Sequence, residues 1–127
     1  MSARDEPVAR PLKKTEFQIV FITRDAAKGW GDCLATVRNA VVDAWEQLTV
    51  DPLHESERQY RLREDFASGT YHGTVYDRWQ YKLSNGGRIW YFVDAASAGN
   101  FAGRVLLERV EPGHPKQTDR RRRRGNG

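Results

Sequence analysis

The sequence predicts an α+β domain in which one long amphipathic helix lies on a mainly antiparallel sheet of about four to five strands. Three observations predict it. Trp30, Leu34, Val37, Val41, Trp45 and Leu48 recur at helical spacing along one stripe. Several other stretches alternate apolar and polar residues or concentrate aromatic and β-branched ones. Turn residues separate the later stretches, so that neighbours pair as hairpins under the helix.

The elements follow in chain order. Phe17 to Thr23 sets Phe17, Ile19 and Phe21 on one side and Gln18, Val20 and Ile22 on the other, a strand buried on both faces. Thr23 or Asp25 caps the next helix, because a short side-chain oxygen accepts from the open amides of the first turn. Gly29 and Gly31 weaken that first turn, and Asp51-Pro52 stops the helix. Residues 51–59 read as polar loop, and Tyr60 to Arg63 as a short strand. Asp77 to Leu83 alternates Trp79, Tyr81 and Leu83 with Arg78, Gln80 and Lys82, a half-buried strand. Ser84-Asn85-Gly86-Gly87 is a turn of the kind that needs positive φ. Arg88 to Val93 returns, Asp94 to Gly103 is a small-residue loop, and Arg104 to Val110 is the last strand, ended by Pro112-Gly113. Residues 1–14 read as a flexible leader, 15–118 as the folded domain, and 119–127 as a basic disordered tail.

Charge is distributed unevenly. The chain of 127 residues carries a formal net charge of +4, yet residues 1–118 hold 16 Lys+Arg and 16 Asp+Glu. The excess sits in Arg120, Arg121, Arg122, Arg123 and Arg124, so the high pI does not mark a basic folded body. No apolar run reaches the roughly 18 residues of a membrane span, which leads to the expectation of a cytoplasmic protein that makes no membrane contact. One cysteine, Cys33, cannot form an internal disulfide, in keeping with a reducing compartment.

Few chemical motifs are present. His54, His72 and His114 have no helical metal-ligand spacing, and a single cysteine offers no thiolate cluster, so neither metal nor cofactor is expected. Cys33 lies near the helix stripe, where a thiol usually serves packing. What remains is basic and late. Lys82 and Arg88 flank one turn, Arg61 and Arg63 sit in an earlier strand, and His114 and Lys116 follow the last one. Across an antiparallel sheet such positions share a face that can grip a phosphodiester. Equally, exposed strand positions in a chain with 30% charged residues carry Arg or Lys for solubility.

Ala26-Ala27-Lys28, then Tyr60-Arg61-Leu62-Arg63, then Gly87-Arg88-Ile89-Trp90-Tyr91-Phe92-Val93-Asp94, in this order, resemble the RelE/ParE superfamily of type II toxins. The resemblance covers roughly residues 15–118, and each motif alone is weak. It implies a RelE-like toxin of a toxin–antitoxin system: a metal-independent endoribonuclease cleaving mRNA at the ribosome and neutralised by a cognate antitoxin. Arg88 matches the family's motif arginine, and Gly113-His114-Pro115-Lys116-Gln117-Thr118 is similar to the ending of a RelE-like subgroup. The candidate catalytic residues are therefore His114, Arg88, Lys116 and Lys82. The candidate RNA-binding residues are Arg61, Arg63, Arg78 and Arg120 to Arg124. Three departures stand out. Ser84 occupies the place of a common basic residue, no tyrosine follows His114, and one long helix is expected where many members have a two-helix hairpin. The alternative is a ParE-like or other non-catalytic module that acts on a protein or nucleic-acid target without cleavage.

Overall fold

The computed structural model describes residues 5–83, 86–96 and 99–113. Strand β1 (Phe17–Phe21) opens the fold. Thr23 then starts helix α1 (Arg24–Thr36), its hydroxyl accepting from the Ala26 amide at 2.9 Å. That hydroxyl also donates to the Glu108 carbonyl at 2.7 Å, so one cap fixes both the helix start and its place on the sheet.

Two short helices stand where one long helix is expected. Helix α1 stops at Thr36, and α2 (Arg38–Val50) follows after Val37, whose φ of −137° and ψ of 52° are not helical. A continuous helix returns one face after about seven residues. The buried positions are Ala26, Gly29 and Cys33 in α1 and Val41, Ala44, Leu48 and Thr49 in α2, and Cys33 and Val41 stand eight apart. Val37 absorbs the odd residue. The bulky stripe is also not the buried face of α1: Trp30 and Leu34 are only half-buried, whereas the small residues face the strands. Close approach is the reason, since a Cβ on Gly29 would lie 1.8 Å from the Val110 carbonyl oxygen. Helix α1 packs mainly on the last strand, and α2 packs on β1.

After α2 come β2 (Gln59–Arg61), a 3₁₀ turn (Glu64–Phe66), β3 (Ser68–Tyr71), β4 (Thr74–Asp77), β5 (Trp79–Lys82), β6 (Arg88–Asp94) and β7 (Gly103–Glu111). Five strands form one sheet in the order β1-β7-β6-β5-β2. Strand β1 runs parallel to β7 and the other three pairs are antiparallel, so the five-strand sheet is mixed. Strands β3 and β4 pair separately as a two-stranded ribbon turning at His72-Gly73, both at positive φ. The strand expected over Asp77 to Leu83 is split at Arg78 between this ribbon and β5.

The helices cover the inner face of the sheet, where Trp79, Tyr81, Ile89, Tyr91, Val105 and Leu107 form the core. The ribbon covers part of the outer face. Tyr76 stacks on Phe92 at 5.5 Å, and a Cβ on Gly69 would lie 2.7 Å from the Phe92 ring. Below the core, the buried Tyr91 hydroxyl donates to the Pro52 carbonyl at 2.8 Å and accepts from Gln59 at 3.0 Å. Burial pushes that phenol up from its ordinary pKa, with the Gln59 bond opposing.

Candidate nucleic-acid interface

The outer face is organised by strand register. Tyr60, Gln80, Trp90 and Arg109 are successive cross-strand partners on β2, β5, β6 and β7. Side chains repeat on one face every second residue, so the next row on the same face is Lys82, Arg88 and Glu111. The register slips between Trp90 and Tyr91: Trp90 faces Arg109 and Tyr91 faces Leu107, leaving Glu108 without an opposite residue. This bulge lets Leu107 and Val110 both enter the core while Glu108 and Arg109 serve the outer face.

Hydrogen bonds tie the first row together. Trp90 Nε1 donates to Gln80 Oε1 at 2.8 Å, and Gln80 Nε2 donates to the Tyr60 hydroxyl at 2.7 Å. The Lys82 ammonium lies 5.5 Å from the Tyr60 ring centre, and the Arg109 guanidinium 5.4 Å from that of Trp90. Phe66, from the 3₁₀ turn, leans on Trp90 at 5.5 Å and remains 54% exposed.

The expected basic residues have different fates. Lys82 and Arg88 are exposed and directly opposite each other, with no carboxylate partner among the described residues. Strand β7 ends beside them: a Cβ on Gly87 would lie 2.9 Å from the Glu111 carbonyl oxygen and 3.2 Å from the Pro112 carbonyl carbon. The described chain ends at Gly113 near this corner, and His114, Lys116 and Arg120 to Arg124 lie outside the described residues. Arg78 is turned inward. Its Nε and Nη2 hold the Glu108 carboxylate at 2.8 and 2.9 Å, and its Nη1 donates to the carbonyls of Phe66 and Ser68. Arg61 stands between Glu55 at 3.7 Å and Asp77 at 3.4 Å. Arg63 is exposed on a cleft of about 430 Å³ that also holds Glu55, Glu64 and Asp77. The face therefore brings Lys82 and Arg88 together, with Glu111 across from Arg88 in the same row but paired to Arg109, and leaves Arg61, Arg63 and Arg78 among carboxylates.

A larger cleft of about 620 Å³ opens between the end of α2 and β2, lined by Asp43, Asp51, His54, Arg58 and Tyr81 among others. Its mixture of signs does not favour an anion. Cys33 is buried, and burial raises its thiol pKa, which suits packing and not nucleophilic attack. Among the described residues, no three His, Cys, Asp or Glu side chains gather as metal ligands. No helix there is long and apolar enough to cross a membrane.

Sequence reasoning passed over Tyr60, Phe66, Gln80 and Arg109 as members of the face. Alternation placed Gln80 off the core, but only register and the bulge at Glu108 align it with Trp90 and Arg109. No family model, curated protein or solved structure matches this chain.

Proposed function

We propose that this chain is a RelE-like toxin of a type II toxin–antitoxin system, a metal-independent endoribonuclease that cleaves mRNA at the ribosome. The observation that carries the reading is the Lys82–Arg88 pair. Two cations set directly opposite on paired strands repel each other and cost stability. A phosphodiester bound between them removes that cost and gains charge-assisted hydrogen bonds. The division of the helical region at Val37 supports the resemblance further, because many members of that family have a two-helix hairpin where one long helix is expected.

In the proposed reaction, a base removes the proton of a ribose 2′-hydroxyl, and that oxygen forms a bond to the neighbouring phosphorus. The bond from phosphorus to the 5′-oxygen of the next nucleotide breaks, and an acid protonates the leaving oxygen. Lys82 and Arg88 neutralise the negative charge that grows on the phosphoryl oxygens. His114 and Lys116, close in sequence to the end of β7, are the proposed proton-transfer residues. The partner is a cognate antitoxin that covers this basic corner until it is removed.

Expression of the wild type is expected to arrest growth and produce cleaved mRNA. Lys82→Ala and Arg88→Ala should each reduce cleavage by roughly 10²- to 10³-fold, the usual loss for one transition-state donor. His114→Ala should abolish arrest. Full cleavage by the Lys82→Ala/Arg88→Ala double variant would overturn the reading. Arrest with intact mRNA and damaged DNA would instead select the ParE-like alternative, which draws support from the balanced charge of residues 1–118.

A further inference from the structure

We infer that the row Tyr60–Gln80–Trp90–Arg109, with Phe66 above it, is a base-stacking platform that seats the nucleobases of single-stranded RNA whose phosphate lies on the Lys82–Arg88 row. The inference rests on the RNA-directed reading and assigns the recognition of the bases to residues outside the proposed chemistry.

Geometry is the first support. The two rows are one side-chain repeat apart on the same face, roughly 7 Å along the strands. That is about the length of one nucleotide step from phosphate to base. A phosphate on the Lys82–Arg88 row therefore directs its base toward the aromatic row.

The state of the aromatic residues is the second. Tyr60 and Trp90, on the outer sheet face, are half-buried, and Phe66, on the 3₁₀ turn that leans on Trp90, is 54% exposed. Core packing does not explain them, since the core lies on the inner face and contains none of them. The ribbon rests further along, on Phe92, while Arg78, Arg109 and Phe66 pack on Trp90, so the rings best placed to meet a base are Phe66 and Tyr60. Their polar ends are already fixed: the Trp90 indole N–H is bonded to Gln80, and the Gln80 amide is bonded to the Tyr60 hydroxyl. The rings are thus held in place before a ligand arrives, which lowers the ordering cost of binding.

Charge selects the occupant. Lys82 and Arg109 border the aromatic row at opposite ends, each close to a ring. Arg109 also meets Glu111 at 2.8 Å, an exposed pair that leaves its guanidinium plane beside Trp90. Cations interleaved with aromatic rings fit a polyanion with flat bases, and stacking of this kind tolerates any base sequence. A double helix would keep its bases stacked inside, so the occupant is single-stranded.

The test uses the full chain and two oligonucleotides with 2′-O-methyl riboses, which are not cleaved by 2′-hydroxyl attack. One carries bases, and the other has the same phosphates and length but abasic positions at its centre. The wild type should bind the base-bearing strand on the order of tenfold more tightly for each base seated. Phe66→Ala and Tyr60→Leu should bring the two affinities together by weakening the base-bearing strand far more than the abasic one. Equal wild-type affinity for the two strands would overturn the stacking platform and leave the phosphate reading intact. Absence of binding to either strand would overturn the underlying RNA reading as well. Tyr60→Phe, which keeps the ring and loses only the hydroxyl, should retain preference for the base-bearing strand and so separates stacking from mere support of the sheet.

Discussion

Arg78 commits four hydrogen bonds to the interior of the outer face, two to Glu108 and two to backbone carbonyls, while its guanidinium lies over both Trp90 and Phe92. A basic residue in a basic-looking strand thus acts as a clamp between the ribbon, β5 and the bulge in β7. Both partners are mostly shielded, with 13% and 26% of the side chains exposed. Arg78→Lys cannot reproduce the fork geometry, and it should lower stability by about 2–3 kcal/mol, less than a fully buried pair would lose. Denaturant unfolding followed by tryptophan fluorescence checks this, and a loss below ~0.5 kcal/mol would contradict it. Glu16 offers a second test. Hydrogen bonds from Arg10 and from the Lys13 amide hold its carboxyl below the ordinary value of 4.5. Its folded-state pKa is depressed, so its stabilisation is fully present above pH about 4.5 and is lost as pH falls through the lower folded value. Glu16→Gln should therefore flatten the acid limb of the stability curve and leave its shape near neutrality alone. An acid limb as steep as that of the wild type would assign the acid sensitivity elsewhere.

At the scale of elements, legibility followed the strength of the local signal. Thr23 as a cap, the stop at Asp51-Pro52 and the pairing of β5 with β6 were readable because each rests on a few adjacent residues. The break at Val37 was not, since no proline or glycine marks it and the hydrophobic spacing runs straight through. Burial in α1 was misjudged for a related reason: small residues signal weakly, yet Ala26, Gly29 and Cys33 are what allow the helix to lie against β7. The ribbon escaped notice because Ser68-Gly69-Thr70-Tyr71 has no apolar alternation, and its value lies in the contact with Phe92. Gly29→Ala puts this packing to a direct test. Its methyl would collide with the Val110 carbonyl, so helix and strand must separate, at a cost of roughly 2–3 kcal/mol. Gly31→Ala, where nothing lies within 4 Å, should instead be neutral or stabilising by a few tenths to about 1 kcal/mol. Equal effects at the two sites, read from thermal midpoints, would refute the close-packed interface.

Across the whole molecule, the sheet separates two tasks. Its inner face buries the core against two helices, and its outer face aligns aromatic and cationic side chains by register. The cations at 82 and 88 are legible in the sequence, but their shared row with Glu111 is not, because register depends on pairing across many residues. Arg61 and Arg78, expected from the sequence as RNA contacts, are both held by carboxylates. With residues 1–118 balanced in charge, the proposed attraction for RNA rests on local segregation at the corner of β5, β6 and β7, together with whatever Arg120 to Arg124 add. The most direct measurement is the salt dependence of the full chain binding a non-cleavable single-stranded RNA. If Lys82 and Arg88 hold phosphates, Lys82→Gln/Arg88→Gln should weaken binding and reduce the slope of log affinity against log salt by about 1.4, near 0.7 for each lost contact to a single strand. An unchanged slope, with the variant folded and bound as tightly as the wild type, would contradict a phosphate site at this corner.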